Sequence, residues 1–466
     1  MKNLFYILGM LMVLLYSCKE SSPQETNEPV ARDRSVNASN SYSELFFDSL
    51  QLEKFISAYN VTDTMADRIR SFYNSRNYQY AWFFTEGMAD YAPAFMQLQG
   101  DYIAFSGDSV LYNAQLSQMV DSISEHGDSV LVADSAKLQT ELALTRQFFR
   151  YANRAYQGRS DIDSKDLEWY IPRKKINSVI LLDSLIKYKG RKLAEFEPVN
   201  RQYHLLKDYL VKYYELEKKG SWAPIQADKK VYNEGDSSTA IVAIKKRLRL
   251  VGDLQNDDTT KVFDEVMKDA VKRFQRRYGF TETGTINSIL ISELNRPITD
   301  RIHQLLLNME RMRWVPATPN SDYLLVNIPE FRLHAYRAGD YLFSMNVVVG
   351  STVHSTVIFN GTLKNIVFSP YWYVPPSIFR KEVLPGIKRN KNYLASHNME
   401  LYGGTARQKP GKNNSLGLVK FLFPNSYNIY LHDSPAKSLF KEDKRAFSHG
   451  CIRLAQPKKL AQFLLR

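Results

Sequence analysis

Apolar residues recur at three- and four-residue steps through the first two thirds of this chain, and at two-residue steps through the last third. Tyr42 to about Trp222 reads as mainly helical. Leu138, Leu142, Thr145 and Phe149 fall on one helical face. Arg201 to Gly220 carries Leu205, Tyr209 and Tyr213 at four-residue steps and stops at a glycine. Phe72 to Phe84 places seven aromatics in thirteen residues. That cluster reads either as a saccharide-stacking surface or as a core between helices, and the core is the better reading.

Asp236 to Asn295 predicts a compact three-helix unit. Ser237 or Ser238 caps a helix carrying Ile241, Ile244 and Leu248, which Gly252-Asp253 breaks. Asp264 to Tyr278 puts Val266, Ala270, Val271 and Phe274 on one face before Gly279. A third helix is expected from Thr285 to Leu294, ahead of Pro297. Thr299 or Asp300 caps a connecting helix with Ile302, Leu305, Leu306 and Met309 inward; Pro316 cannot continue it.

Strands follow. Tyr323 to Ile328, Phe331 to Tyr336 and Tyr341 to Val349 alternate, with a turn at Ala338-Gly339-Asp340. Asn360-Gly361 signals a hairpin. Leu418 to Phe423 and Tyr427 to His432 form another around Pro424-Asn425-Ser426. Trp372 to about Gly411, basic and with Pro375-Pro376 and Gly403-Gly404, interrupts the strands as a long insertion or lid. The fold class is therefore multidomain α+β. A helical scaffold at 41–225 precedes a three-helix unit at 236–296 and a connecting helix at 297–320. A β-rich domain at 321–466 closes the chain, with its lid at 372–411.

The amino terminus changes the picture. Met1-Lys2-Asn3 is basic, and the apolar run Leu4 to Leu15 is too short to span a bilayer. Leu15-Tyr16-Ser17-Cys18 resembles a bacterial lipobox, which implies a lipoprotein signal peptide at 1–18 and lipidation of the Cys18 thiol. Lys19 to Asn40, rich in Ser, Pro, Asn and Glu, reads as a flexible tether. No later run suits a second span. These features place the folded part at the periplasmic face of a bacterial membrane, lipid-anchored, with the choice of membrane open.

The formal net charge is +13. From Asp322 to Arg466 there are 20 Lys and Arg against 8 Asp and Glu, a net of +12. A basic domain outside the cytoplasm reads either as a merely solvated basic surface or as one that favours an anionic membrane or an acidic wall polymer over nucleic acid, and no nucleic-acid motif is present.

Only two cysteines occur. With Cys18 acylated, Cys451 has no intrachain partner, so an idle thiol there is an oxidation liability. It lies in Ser448-His449-Gly450-Cys451-Ile452-Arg453-Leu454, with His432 upstream at the end of an apolar run. Thiol beside imidazole is the arrangement of a cysteine nucleophile with its base. Gly450 permits a tight turn and leaves backbone N–H groups to face an oxyanion. The chemistry suggested is acyl transfer: His432 takes the thiol proton, Cys451 attacks a peptide carbonyl, and a second nucleophile resolves the thioester. Zinc binding by His432, His449 and Cys451 lacks a convincing fourth ligand. Without a P-loop or GxGxxG, no cofactor is implied. His126, His204, His303, His334, His354 and His397 read as surface or packing residues.

Two stretches resemble known families. Ala270 to Gly279 with Thr283-Gly284-Thr285 resembles the small peptidoglycan-binding repeat of wall hydrolases. From about Tyr42 to Arg466, most strongly after Asn308, the chain resembles the L,D-transpeptidases with the YkuD-type catalytic domain, in their large multidomain periplasmic branch. The matching pieces are Asn308 to Trp314, Pro370 to Ile378, Asn414-Ser415-Leu416-Gly417, Tyr430 to Pro435 and Ser448 to Leu454. The resemblance implies Cys451 as nucleophile and His432 as proton acceptor and donor. It further implies that Tyr430 shapes the site and that His449, Gly450 and the Cys451 amide surround the oxyanion. Arg453 would fix the loop or meet a substrate carboxylate, or else form a structural ion pair. Ser448 belongs to the same loop, and the imidazole would be oriented by backbone rather than by Asp433. Val357 stands where a proline is common, and the branch usually continues with further β-structure beyond the Leu454 region.

The implied partners are a donor tetrapeptide stem and an acceptor amine, joined as a 3–3 wall cross-link. Two other readings stay open. Water resolving the thioester would make a carboxypeptidase or endopeptidase, and loss of activity would leave a wall-tethering lipoprotein. The Cys451/His432 pair argues against the last.

Overall fold

The computed structural model describes residues 29–126, 133–191, 197–220, 222–315 and 321–466. The signal peptide, Cys18 and the first part of the expected tether lie outside them. The chain divides into two compact units. One holds the described residues up to Asn153 together with Asn177–Glu197; the other holds Arg154–Ile176 and Pro198–Arg466.

The first unit is helical: Ser49–Ala58, Asp63–Asn74, Tyr91–Ser106, Ala114–His126, Asp134–Ala152 and Ser178–Lys187. Asp48 and Asn177 cap two of these with side-chain oxygens. The aromatic cluster is core: Phe72, Tyr73, Trp82 and Phe83 are buried, and edge-to-face or tilted contacts link Trp82 to Phe95 and Phe148, and Phe72 to Phe149. No saccharide surface remains there. At its centre Glu141 accepts from the amides of Ala81 (2.7 Å) and Trp82 (2.8 Å) and from the Tyr73 hydroxyl (2.7 Å).

Two expectations need correcting here. Residues 29–40 are not a free tether: the Val30 amide donates to Ser71 Oγ and the Asp33 amide to the Asn74 carbonyl, while Asn77 donates to the Val36 carbonyl. Ser and Asn side chains supply hydrogen bonds where apolar burial is lacking. The packing also departs from the expected boundaries of 41–225, because Arg154–Ile176 and Pro198 onwards pack with the C-terminal part.

In the second unit, Arg201–Lys218 packs along Ile298–Trp314. Its buried face is Tyr203, Leu210, Tyr213 and Leu216, whereas Leu205 and Tyr209 are about half exposed. The four-residue step therefore found the helix but not its inner face. The three-helix unit forms with Ser238 capping Thr239–Val251 and Asp264 capping Glu265–Arg277. Met267 takes the core place expected of Val266, which is exposed. Its third helix is shorter than expected, Ser288–Leu294, because Ile286–Asn287 instead pairs with Val231–Tyr232.

The C-terminal domain is a mixed sheet. Its strands are β1 (Tyr323–Asn327), β2 (Arg332–Arg337), β3 (Asp340–Gly350) and β4 (Asn365–Phe368). β5 (Trp372–Tyr373), β6 (Met399–Tyr402) and β7 (Thr405–Gln408) lie in the insertion. Then come β8 (Val419–Leu422), β9 (Leu431–His432), β10 (Ala446–Ser448) and β11 (Ile452–Leu454). The main order is β1-β2-β3-β11-β9-β8-β4, with β10 beside β3. Leu333, Val347, Phe421, Leu431, Ile452 and Leu454 fill the core on one face, closed by the helix Pro457–Leu464. Asn360-Gly361 does not make the expected hairpin. Ile358 bridges Trp169, and β4 pairs with β8, so the two flanks of that turn go to different partners.

The insertion is an ordered subdomain, a small sheet in the order β6-β7-β5. It has its own core of Val374, Val383 and Ala406, with Trp372, Phe379 and Tyr393 packed against it. Asn414 closes its base by donating to the carbonyls of Pro370 (3.2 Å) and Lys409 (2.9 Å).

Candidate active site

The site grows out of a parallel strand pair in the main sheet. β9 and β11 pair with Leu431 opposite Ile452 and His432 opposite Arg453. Register partners point to the same face. Leu431 and Ile452 face the core, so His432 and Arg453 share the other face. Lys420 joins them, since it lies opposite His432 from β8. Cys451 stands one residue before β11, beside Tyr430: the Ile452 amide donates to the Tyr430 carbonyl at 3.1 Å. Tyr430 and His432 rings are 5.6 Å apart. The two halves of the motif, 19 positions apart in sequence, meet because a two-residue strand pairs with a three-residue one.

His432 is buried, and its Nδ1 is 2.5 Å from the Asp433 carbonyl. A carbonyl only accepts, so Nδ1 carries the proton and Nε2 is left as the basic nitrogen. Burial pushes its pKa down to about 4, and the Arg453 charge adds to this against the pull of the Asp433 carbonyl. The imidazole is therefore neutral near pH 7. The Asp433 carboxylate is committed elsewhere, to the amides of Ser434 (2.7 Å) and Leu418 (2.9 Å) and to Lys437 (2.5 Å). It anchors the carbonyl that orients His432 and forms no triad.

Burial also pushes the Cys451 thiol above its ordinary value, opposed by the Tyr430 amide and hydroxyl and by Arg453. The resting pair is thus neutral thiol and neutral imidazole. The thiol donates to the Asn428 carbonyl at 3.6 Å; among the described residues no hydrogen bond joins it to His432. Asn428 holds a positive φ of 56°, and Asn425 fixes its loop by bonding Phe423, Tyr427 and Ile429. Burial raises the Tyr430 hydroxyl, with the neighbouring Cys451 second.

Gly450 has φ +110°, a conformation for which glycine is the natural occupant. Ser448 locks this turn: its Oγ accepts from the Gly450 amide (3.1 Å) and donates to the Cys451 carbonyl (2.6 Å). This corrects one expectation, because the Gly450 amide is spent inside the turn and does not face an oxyanion. His449 points outward, stacked on His354 at 5.0 Å and 3.7 Å from Glu382 of the insertion. Its side chain joins loop to insertion. Arg453 has no carboxylate partner among the described residues, and burial lowers its pKa.

Sequence reasoning missed Thr356. Its Oγ1 donates to the Gly450 carbonyl (2.8 Å) and accepts from the Gly350 amide (2.9 Å). A Cβ at Gly350 would overlap the His354 carbonyl, so a glycine there is obligatory. His354, expected as a surface or packing residue, is exposed and stacks on His449. No local pattern marks either residue. No group of three or more His, Cys, Asp or Glu suited to a metal occurs among the described residues.

Known families match three stretches: "L,D-transpeptidase catalytic domain" at residues 321–466, "Scaffold domain" at 67–210, and "Putative peptidoglycan binding domain" at 237–292. A Haemophilus influenzae protein called "Putative L,D-transpeptidase" is 32% identical over 184 residues, which cover 35% of this chain and 37% of that protein. The chain thus matches little more than a third of that relative's length. A Stackebrandtia nassauensis L,D-transpeptidase structure aligns with 51% of this chain and 92% of its own, at 13% identity and a TM-score of 0.24. One from Xylanimonas cellulosilytica aligns with 50% and 90%, at 14% identity and a TM-score of 0.15.

Proposed function

We propose, from the premise that residues 321–466 belong to the L,D-transpeptidase catalytic-domain family, that this protein is a cysteine-dependent acyltransferase of the bacterial cell wall. The observation that carries the reading is the parallel pairing of β9 with β11, which brings Tyr430 beside Cys451 and His432 beside Arg453. Cys451 attacks the carbonyl of a donor tetrapeptide stem, and His432 Nε2 takes the thiol proton as the C–S bond forms. Because both groups rest neutral, proton transfer accompanies attack rather than preceding it. The imidazolium returns the proton to the departing amine of the terminal D-residue, leaving a thioester. An acceptor amine then attacks the thioester, gives its proton to His432, and releases the Cys451 thiol with a 3–3 cross-link formed.

Arg453 and Lys420 flank the imidazole on one face, which supports an anionic stem peptide as donor. The three-helix unit supports attachment to peptidoglycan. A lipid anchor at Cys18 on the periplasmic face completes the proposal. The test incubates the protein with a disaccharide-tetrapeptide and reads Cys451 by peptide mass spectrometry. The expected result is a thioester mass on Cys451 and a 3–3 dimer in solution. Release of the terminal D-amino acid without dimer would reassign the protein as a carboxypeptidase, and no adduct at all would overturn the acyl-enzyme.

A further inference from the structure

The motif Asn308 to Trp314 has no place in the chemistry above, yet its last residues are among the most buried polar groups of the second unit. Glu310 and Arg313 pair at 2.6 Å, both almost wholly buried, and Trp314 donates to Glu310 at 3.0 Å. What they hold is a segment from far upstream. Glu310 accepts from the Arg159 amide (2.6 Å), and Arg313 donates to the Ala155 carbonyl (3.0 Å). The Lys174 amide donates to the Trp314 carbonyl (3.1 Å), and Trp169 packs edge-to-face on Trp314 at 5.5 Å. Gly158, at φ +80°, lies so close to Glu310 that a Cβ would collide with the carboxylate.

The segment so pinned reaches the cysteine from two sides. The Ile358 amide donates to the Glu168 carbonyl (3.0 Å), and the Tyr170 amide to the Ile358 carbonyl (2.6 Å), which adds Trp169 as a parallel partner of Ile358. Ser355 Oγ donates to the Glu168 carboxylate at 2.8 Å. Residues 354–358 carry Thr356, which holds the Gly450 carbonyl, and His354, which stacks on His449. On the other side, the Tyr170 ring meets Tyr427 at 4.9 Å, next to the Asn428 carbonyl that receives the thiol. Glu168 holds a left-handed φ of 50°, a strained state for a residue with a side chain, and it persists only where surroundings enforce it.

We propose that Glu168–Tyr170 is a positioning strand for Cys451, supplied from the stretch matched by the scaffold family and anchored by Glu310, Arg313 and Trp314. It rests on the reading of Cys451 as nucleophile. Among the described residues no hydrogen bond joins this strand to the thiol or to His432; it sets the two loops between which the thiol stands. Loosening them admits more water to a half-buried thiol and moves its pKa back towards the ordinary range.

The test is the rate of Cys451 alkylation by iodoacetamide against pH, read on the Cys451 peptide of the full-length protein, beside a thermal melt. This reads the thiol whether or not the protein forms cross-links. Glu168→Ala and Ser355→Ala should each speed alkylation near neutral pH by about threefold and lower the apparent pKa. Glu168→Gln, which still accepts from Ser355, should keep the parent profile. Glu168→Ala combined with Ser355→Ala should do no more than either alone, since both remove one bond. A parent-like profile in both alanine variants overturns the proposal, as does a Glu168→Gln profile like that of Glu168→Ala. Should Glu168→Ala fail to fold, Ser355→Ala carries the decision.

Discussion

Each unit buries a titratable group, and the two are furnished in opposite ways. In the helical unit, Glu141 is wholly enclosed and meets three donors, from Ala81, Trp82 and Tyr73. Burial still pushes its pKa up to about 7. In the C-terminal domain, His432 is equally enclosed but bonds one carbonyl through Nδ1, and burial pushes it down to about 4. Around it the thiol makes a long bond to the Asn428 carbonyl beside the Tyr430 amide and hydroxyl, and Arg453 lacks a carboxylate among the described residues. A saturated polar cluster specifies a core; a cluster with valences left over is built to meet something else.

The sharpest break of this comparison is Cys451→Ala. It should lower turnover of a disaccharide-tetrapeptide by more than ~10³-fold while leaving the melting temperature near the parent's, because the thiol contributes little to packing. A large loss of stability instead would make the thiol structural and end the contrast. Glu141→Ala should do the reverse. It strands two buried amides, while the Tyr73 hydroxyl keeps Thr145 as a partner, at a cost of about 4 kcal/mol by urea denaturation of the helical unit. A loss below about 1 kcal/mol would mean the donors find water or other partners.

Stability should also depend on pH with opposite slopes. The Glu141 pKa is raised in the folded state, so its contribution is full below the ordinary value of 4.5 and is lost as pH rises through about 7. The His432 pKa is lowered, so its contribution is full above 6.5 and is lost as pH falls through about 4. Each is worth up to about 3 kcal/mol at 1.36 kcal/mol per unit. Hydrogen exchange followed separately in the two units between these limits should show the slopes. Glu141→Gln should flatten the first and His432→Gln the second; unchanged slopes would assign them to other groups.

The smallest expected effect is on the thiol itself. Without a hydrogen bond between Cys451 and His432, His432→Ala should slow alkylation near neutral pH by only about threefold. Alkylation of the parent should rise with pH through a value above the ordinary thiol range, because burial raises it. A flat, fast profile down to pH 5 would instead mean a preformed thiolate–imidazolium pair.

Much of this was legible in the chain because it is local. Ser238 and Asp264 announce helix starts through side chains that bond amides two or three residues on. Gly450 announces a turn because few other residues take φ +110°. The hairpins of β1 to β3 follow from alternation, since one face must be buried. Errors arose where a pattern was right but its partner lay elsewhere. Leu205 and Tyr209 have helical spacing yet face water, because helix Arg201–Lys218 packs on Ile298–Trp314 through another face.

The order of elements, the Ser238 and Asp264 caps, the chemical types in the Cys451 loop and the need for glycine at 450 were determined by the sequence alone, since each depends on residues within one turn of each other; the expected Thr299 or Asp300 cap was not, because that helix starts at Ile298 behind Pro297. That Leu431 lies against Ile452, that the Gly450 amide is consumed by Ser448, and that Glu168–Tyr170 joins residues 355–358 were decided only by the tertiary structure. Two of these join segments 21 and more than 180 residues apart, as with Ser355 and Glu168 at a separation of 187. The other turns on which of two nearby acceptors an amide chooses. Periodicity says which face of an element is apolar, but the face it meets is chosen by the packing of the whole unit.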